Sequence, residues 1–355
     1  MTPLGLSVAG FAAFATSVAL VALLRRWATR RQLLDLPNER SLHSRPMPLG
    51  GGLAIVVVAG VGMAVCAAVG VVGVSPELVA VGSGAVLVAA VSWLDDLRGL
   101  PVVVRLVAHA AAAVAFLAVA RWPAACPLAG AALGTVAGVL LALVWIVGLT
   151  NAYNFMDGID GIAGSQAVVA GLGWVVLTWG SAGVETWLGL LLAAASLGFL
   201  AHNWPPAKIF MGDVGSAFLG FGFATMAVLG ARRDPRLALA GVLLVWPFVF
   251  DTSFTFLRRL RKGENVFQAH RSHLYQRLVL AGWGHRAVTL LYAGLAAGAA
   301  LGTWLWLSGA GVGPGLALGV VAGGIALLVW LAVRAERRLS GSKGVASPGG
   351  ESAVG

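Results

Sequence analysis

The sequence predicts an all-α protein, a polytopic bundle of about eleven transmembrane helices with its N-terminus outside and its C-terminus in the cytoplasm. Three observations lead to this prediction. The chain has 355 residues, of which 59% are hydrophobic and 11% charged, whereas a soluble domain carries about 25% charged residues. Apolar runs long enough to cross a bilayer recur along the whole chain. The 49 glycines suit membrane helices that pack closely.

The predicted spans follow these apolar runs in order. They are 4–24, 51–72, 78–94, 102–120, 128–150, 162–180, 186–202, 215–231, 237–257, 287–308 and 314–334. No cleavage-site pattern follows the first run, so it is expected to be an anchor and not a removed signal peptide. We expect residues 1–339 to form a single transmembrane domain. Residues 340–355 are rich in Gly and Ser and are expected to be a disordered tail.

The distribution of charge predicts the orientation. With the N-terminus outside, 20 of the 24 basic residues fall in inner segments, and the outer ones are Arg121, Arg232, Arg233 and Arg236. This is the positive-inside pattern, and it explains the net charge of +10 without a nucleic-acid partner. Eleven of the fourteen acids also face inward, and the outer three are Glu77, Glu185 and Asp234. Acids contribute little to topology, so their inward excess indicates catalysis or metal binding.

Five inner segments are predicted to form the site: 35–50, 95–105, 151–161, 203–216 and 258–286. The first segment, continued to Gly52, has three prolines and three glycines, which fit a fixed turn whose backbone could approach a phosphate. An ordinary positive-inside loop explains it equally well. In the second, the adjacent Asp95 and Asp96 repel each other unless a cation compensates. Solvated loop acids are the alternative.

The next helical span carries two further polar residues. Arg105 and His109 lie one helical turn apart on one face. Arg105 is a candidate phosphate ligand, although simple snorkelling to the interface would also explain it. His109 is expected to be a hydrogen-bonded residue of the bundle interior.

The third segment places a polar group at every third residue: Asn151, Asn154, Asp157 and Asp160. This spacing gives one polar stripe at the end of a helix. Its hard oxygen ligands suit Mg²⁺ and a nucleotide, whereas a structural polar seam is the alternative.

The last two segments add an acid and a run of donors. Asp213 lies between Gly212 and Gly215 at the start of a span, where it could also cap the helix. Asp251 lies inside the ninth span, and an intramembrane acid is a functional hypothesis by default. The run from His270 to Arg277 interleaves donors that could reach a sugar or pyrophosphate, and it lacks the partners of a zinc site.

Taken in order, these motifs resemble one superfamily. They are Pro-Asn-Glu-Arg-Ser-Leu-His, Asp-Asp, Asn-x-x-Asn-Phe-Met-Asp-Gly-Ile-Asp-Gly, Phe-Met-Gly-Asp-x-Gly-Ser and Ala-His-Arg-Ser-His-Leu-Tyr-Gln-Arg. The superfamily is that of the polyprenyl-phosphate N-acetylhexosamine-1-phosphate transferases, glycosyltransferase family 4, and the likeness covers residues 35–280. The first motif looks like the GlcNAc-type branch that initiates O-antigen or teichoic acid synthesis. The last motif replaces a run of His and looks like O-antigen initiating enzymes that take a modified N-acetyl sugar.

The resemblance implies transfer of N-acetylhexosamine 1-phosphate from a UDP-sugar to undecaprenyl phosphate, with release of UMP, at the cytoplasmic face of the bacterial inner membrane. It implies Mg²⁺, or Mn²⁺ in its place, held by Asn154 and Asp213. It further implies three groups of residues: catalytic Asp95, Asp96 and Asp213; nucleotide- and phosphate-binding Asn151, Asp157, Asp160, Arg45, Arg98 and Arg105; and sugar-reading His270, Arg271 and His273.

Two other functions stay as alternatives. One is a phospho-MurNAc-pentapeptide transferase. The other is an ion-coupled transporter, which predicts ionisable groups near mid-membrane in repeated halves, whereas here they cluster at the inner ends of the spans. Whether Asp95 or Asp96 orients the lipid phosphate, deprotonates it or forms a covalent intermediate is open at this stage, as is a homodimeric assembly.

Overall fold

The computed structural model describes residues 2–37, 42–43, 45–120, 131–181, 183–266 and 270–345. These residues form thirteen helices and one two-stranded hairpin. The helices are α1 Pro3–Arg31, α2 Gly52–Ala68, α3 Pro76–Arg98, α4 Val102–Ala120, α5 Ala131–Phe155, α6 Ile162–Leu177, α7 Val184–Asn203, α8 Asp213–Arg233, α9 Arg236–Leu244, α10 Trp246–Arg261, α11 Leu274–Leu280, α12 His285–Leu307 and α13 Gly315–Val345. The strands are β1 Leu34–Asp35 and β2 Met47–Pro48, paired antiparallel. The prediction of an all-α polytopic bundle is confirmed.

Each predicted span contains a helix, but not all of these helices have the length to cross a bilayer. Within the described part of the chain, eight helices are long and apolar enough, and α9 and α10 form a ninth candidate that bends by 74°. The helices α2 and α6 have 17 and 16 residues, and at about 1.5 Å per residue they fall short of about 30 Å of hydrocarbon. The count of eleven crossings and their sidedness therefore stay predictions.

The break between α9 and α10 has a local cause. Pro247 stands in the first turn of α10. Proline lacks the N–H that would continue the helical ladder, and its ring clashes with the carbonyl four residues earlier. The chain accordingly starts a new helix at Trp246, and α10 runs on towards the predicted inner loops.

The centre of the bundle is formed by α7 and α8, which are buried along most of their length. Small residues allow the close contact between α8 and α5. A Cβ at Gly220 would lie 2.7 Å from the carbonyl oxygen of Leu149 and 2.8 Å from the Cα of Thr150. Close backbone approach of this kind is typical of membrane helices. It brings the end of α5, which carries the polar stripe, beside the helix that starts at Asp213.

The acids predicted to lie outside are all paired with arginines predicted to lie there too. The ion pairs are Arg232–Glu77 at 2.9 Å, Arg233–Glu185 at 3.3 Å and Arg236–Asp234 at 2.6 Å. Arg121, the fourth predicted outer basic residue, lies outside the described residues. Each acid predicted to lie outside is therefore paired with its own arginine, and the remaining acids are those of the predicted inner side.

A short backbone ladder ties the first inner segment to the α7–α8 connection. The amide of Phe210 donates to the carbonyl of Pro48 at 2.8 Å, and Gly51 and Gly52 donate to Phe210 and Met211 at 2.9 and 2.8 Å. At the other end of the chain, α13 continues to Val345. The predicted disordered tail is therefore helical in its first residues, and residues 346–355 lie outside the described part.

The contact between α2 and α8 gives a prediction about stability. A Cβ at Gly52 would lie 2.7 Å from the amide nitrogen of Gly215 and 2.8 Å from the carbonyl oxygen of Met211. Because these are backbone atoms, Gly52→Ala should lower the free energy of unfolding by about 1–3 kcal/mol. The measurement is thermal unfolding of the purified protein in one detergent.

Gly60 on the same helix is the matched control, because a Cβ there meets no atom within 4 Å. Gly60→Ala should leave the melting temperature unchanged or raise it, since Ala favours helix over Gly. Equal melting temperatures for the two variants would contradict the packing described at Gly52.

Candidate active site

The five predicted inner segments meet around one cavity of about 1370 Å³. Ten of the predicted site residues line it: Asp95, Asp96, Arg105, Asn151, Asn154, Asp157, Asp160, Asp213, His270 and His273. Three others do not line it: Arg45, Arg98 and Arg271, which are exposed. Asn38, Glu39, Arg40 and Ser41 of the first motif lie outside the described residues. The convergence agrees with the predicted alternation of the spans, which would return every second loop to the same end of the bundle.

Arg105 joins the carboxylates of two helices. Its Nη1 lies 2.6 Å from Oδ2 of Asp95 and 3.0 Å from Oδ2 of Asp213. Asp95 is further fixed by the amide of Leu100, which donates to its Oδ1 at 2.6 Å across the α3–α4 turn. Arg105 thus compensates the charge of two acids at once. The sequence had indicated that a cation must lie near Asp95. Arg105 also lies on the cavity wall, where a phosphate could contact it.

Asp96 has a different task from its neighbour. Its Oδ1 accepts from the amide of Asp213 at 2.8 Å and its Oδ2 from the amide of Val214 at 3.1 Å. These are amides of the first turn of α8, which lack partners inside the helix, and a carboxylate there also interacts favourably with the helix dipole. The cap of α8 is therefore supplied by Asp96 from α3, and the alternative that Asp213 caps its own helix is wrong.

Gly212 makes this cap accessible. Its φ of +80° is in the region that favours glycine. A Cβ at Gly212 would also lie 2.7 Å from Oδ2 of Asp96. Because Asp96 carries the capping, the side chain of Asp213 is left to face Arg105 and the cavity.

The polar stripe divides after Asp157. Asn151 donates to the carbonyl of Val147 at 2.7 Å, and Asn154 lies beside the carboxylate of Asp213. Burial, reinforced by the charges of Asp213 and Asp96, raises the pKa of Asp157 well above its usual value. The first part of the stripe therefore lies among other acids, where a bound cation would favour the ionised form of Asp157.

Asp160 belongs to a separate set of contacts. Its Oδ2 accepts from the amide of Ala207 at 3.0 Å and lies 3.4 Å from Nδ1 of His285. Burial alone would raise the pKa of Asp160, but these partners outweigh it and hold the pKa below its usual value. His285 was not among the predicted residues, because a single His after a loop gives no motif signal.

The turn after α5 needs a glycine at position 158 for a steric reason. A Cβ at Gly158 would collide with the hydroxyl of Tyr275. That hydroxyl donates to the carbonyl of Phe155 at 3.0 Å. Tyr275 thus fixes the end of α5 to the last predicted loop.

Asp251 organises the last loop. It is fully buried and accepts from the amides of Leu274 and Tyr275 at 2.8 and 3.1 Å, and from the hydroxyl of Tyr292 at 2.6 Å. His273 also lies 3.2 Å from it. The intramembrane acid that suggested a functional group therefore holds His273 and the start of α11 in place.

Two more groups hold the same loop. Arg277 donates to the carbonyl of Ser272 at 2.9 Å and pairs with Glu336 of α13 at 2.8 Å. Glu336 also pairs with Arg258 at 3.0 Å. The Ser272 hydroxyl in turn lies 2.9 Å from Nδ1 of His270. Glu336 lies far from every motif, so no sequence signal indicated it.

His270 and His109 are two histidines of the cavity wall in different surroundings. Burial, with the neighbouring His273 and Arg259, lowers the pKa of His270 to about 4, so its ring is neutral at neutral pH. His109 is buried and its Nδ1 lies 3.2 Å from the amide nitrogen of Asn151. Its Nε2 has no hydrogen-bond partner among the described residues. His109 is therefore a buried, hydrogen-bonded residue of the bundle interior, as expected, although only one of its two ring nitrogens has a partner among the described residues.

The donor set fits a metal shared with substrate. Among the described residues, no group of three or more His, Cys, Asp or Glu side chains could hold a metal ion. Asp213 and Asn154 offer one carboxylate and one amide. Mg²⁺ is commonly bound by one or two carboxylates, with water and substrate phosphates completing its coordination.

Acids, amides and an arginine around one cavity of a membrane bundle define an integral-membrane protein with a charged site. The model of "Glycosyl transferase family 4" matches residues 78–231. A probable undecaprenyl-phosphate N-acetylglucosaminyl 1-phosphate transferase of Bacillus subtilis is 31% identical over 80% of this chain and 80% of its own length. A decaprenyl-phosphate N-acetylglucosaminephosphotransferase of Mycolicibacterium smegmatis is 33% identical over 81% and 78%.

A phospho-N-acetylmuramoyl-pentapeptide-transferase of a Synechococcus species is also similar, 30% identical over 87% of this chain and 93% of its own length. The chain belongs to glycosyl transferase family 4, as its motifs predicted, and it is a multi-pass membrane transferase.

The contact of Gly158 with Tyr275 gives a second prediction. Gly158→Ala should lower the free energy of unfolding by about 1–3 kcal/mol through the collision, and Tyr275→Phe by about 1 kcal/mol through the lost hydrogen bond. In the double variant the hydroxyl is absent, so the loss should be clearly smaller than the sum of the two. Thermal unfolding of the three variants measures this, and additive losses would rule the contact out.

Proposed function

We propose that this enzyme transfers an N-acetylhexosamine 1-phosphate from a UDP-sugar to undecaprenyl phosphate, releasing UMP. The observation that carries the proposal is the composition of the cavity. One part of its wall is formed by acids, amides and Arg105, and another part is apolar. A substrate with a charged head and a hydrocarbon chain fits such a cavity, and the relatives named for undecaprenyl- and decaprenyl-phosphate support it.

The apolar part of the wall lies on α5 and α10. Leu141 and Val144 line it and are 69% and 68% exposed. Phe256 and Leu257 of α10 line it as well and are also exposed. Exposed apolar side chains on helices of a membrane bundle contact lipid, so this side of the cavity is suited to receive a polyprenyl chain from the bilayer.

The charged part of the wall suits phosphates. Two anionic substrates repel each other, and the acids of the wall add to that repulsion unless cations compensate. Arg105 can contact a phosphate from its position between Asp95 and Asp213. Asp213 and Asn154 would hold Mg²⁺, which would neutralise phosphate charge and polarise the phosphorus under attack.

The reaction we propose is an in-line displacement. An oxygen of the lipid phosphate forms a bond to the β-phosphorus of the UDP-sugar while the bond from that phosphorus to the oxygen of UMP breaks. A phosphate monoester has a second pKa near about 6, so the attacking oxygen is already ionised at neutral pH. No strong base and no covalent intermediate on the protein are needed. Both oxygens of Asp96 are occupied in capping α8, and we assign Asp96 to positioning Asp213.

The sugar is assigned to the last loop. His270 and His273 line the cavity, and a neutral His270 can donate or accept a hydrogen bond. The first motif favours a GlcNAc-type donor and a product that initiates a cell-surface polysaccharide such as O-antigen or teichoic acid. The similarity to a phospho-N-acetylmuramoyl-pentapeptide-transferase makes transfer from a UDP-MurNAc-pentapeptide the second candidate.

The first test is a donor panel. Purified protein with undecaprenyl phosphate and Mg²⁺ should release UMP with a UDP-N-acetylhexosamine, and omission of either the lipid or the metal should abolish release. UMP release with UDP-MurNAc-pentapeptide alone would favour the second candidate. Absence of UMP release with every donor would refute the proposal and favour the alternative of a transporter.

The second test addresses the acidic centre. Asp213→Asn should reduce UMP release by about 100-fold or more, because it removes the charge that Arg105 and a metal would meet. The protein should still insert and purify normally, since Asp96 and not Asp213 caps α8. Asp234→Asn, at the opposite end of the bundle, is the matched control and should keep activity. Near-normal activity of Asp213→Asn would exclude Asp213 from the site.

A further inference from the structure

His109 is a residue of the cavity wall that has a buried polar atom without a partner among the described residues. It lies in α4, is 3% exposed and lines the cavity. Its Nε2 has no hydrogen-bond partner among the described residues. Buried polar atoms without a partner are uncommon, and each one asks for an explanation such as a ligand.

The surroundings of the ring show which nitrogen carries the proton. The side-chain nitrogen of Asn151 lies 2.7 Å from the carbonyl oxygen of Val147, which only accepts, so the amide orientation of Asn151 is settled. The same nitrogen lies 3.2 Å from Nδ1 of His109. An NH₂ group donates, so Nδ1 accepts. In the neutral ring the proton is then on Nε2, which makes the unpartnered atom a donor.

The position of His109 identifies the kind of acceptor it would meet. It follows Arg105 by one helical turn on the same face of α4, about 6 Å further along the helix. Trp145 and Gly148, which precede Asn151 in α5, also line the cavity. The donor therefore stands between the ion pairs of Arg105 and the apolar part of the wall, where a substrate's charged head joins its hydrocarbon chain.

We propose that Nε2–H of His109 donates a hydrogen bond to a phosphate oxygen of a bound substrate. This inference rests on the proposed function and adds a binding residue to it. The phosphate belongs to the polyprenyl phosphate or to the pyrophosphate of the UDP-sugar, which share the chemistry of an anionic oxygen. Asn151 donates a hydrogen bond to Nδ1 of His109. It thereby holds the ring in place and leaves the proton on Nε2, so Asn151 is a positioning residue.

The experiment compares His109→Leu with His109→Gln in the full-length protein in detergent. Leu removes the donor at similar volume, whereas the Gln amide can place an N–H near the position of Nε2. The KM for undecaprenyl phosphate and the KM for the UDP-sugar are measured separately. His109→Leu should raise one of them by about tenfold or more, as expected for one hydrogen bond to a charged group. His109→Gln should recover most of that loss.

The two arms identify the phosphate. A rise in the KM for the lipid assigns it to the acceptor, and a rise in the KM for the UDP-sugar assigns it to the donor. His202→Leu is the matched control, because His202 contacts the carbonyl of Val18 at 3.1 Å and does not line the cavity. It should change neither KM. Unchanged KM values in His109→Leu would overturn the inference, and so would equal losses in the Leu and Gln variants, which would indicate packing alone.

A binding readout separates this inference from the proposed function. Short-chain polyprenyl phosphate or UDP-sugar alone should raise the melting temperature of the wild-type protein, and His109→Leu should reduce that shift for one of them. If the wild-type protein releases no UMP yet shows the shift and its loss, the proposed reaction fails and the phosphate contact stands. If neither ligand shifts the wild-type protein, or if both variants keep the full shift, the phosphate contact is refuted.

Discussion

The repulsion among acids gathered at one end of the bundle is the constraint on which the rest of the site depends. Asp95, Asp96, Asp157 and Asp213 all line the same cavity. Like charges at short range in a weakly polar environment are costly unless each is compensated. The protein uses two fixed sources of positive potential. One is the guanidinium of Arg105, shared by Asp95 and Asp213. The other is the N-terminus of α8, which meets Asp96.

These two devices explain why the helices meet where they do. Asp96 on α3 must reach the first turn of α8, and Gly212 has no side chain in its way. The α5 helix must bring Asn154 beside Asp213, and Gly220 allows that approach. Compensation is incomplete at Asp157, whose pKa remains raised. A divalent cation bound beside it, as we propose, would lower that pKa and favour the ionised carboxylate.

Much of the fold could be predicted from the sequence, because the thickness of a bilayer sets the length of the apolar runs that cross it. Each predicted span contains a helix, and residues of all five motifs line one cavity, as loops predicted to share one end should. Sequence could not indicate that the ninth run breaks, since Pro247 alone is compatible with a continuous membrane helix whose neighbours satisfy the freed groups. It also could not separate Asp95 from Asp96. Adjacent acids look alike in a sequence, and their roles depend on α8, which lies more than a hundred residues away.

The remaining surprises concern residues whose function depends on long-range partners. An intramembrane acid such as Asp251 is as expensive for a structural role as for a catalytic one, so its position alone could not distinguish them. Its partners on α11 and α12 do so. The last loop is held by Asp251 and by Arg277 with Glu336, whereas the acidic centre is held by Arg105 and α8. Among the residues that the structure describes, the two sets share no ion pair, so the contacts that hold the last loop are separate from those that compensate the acids of the centre.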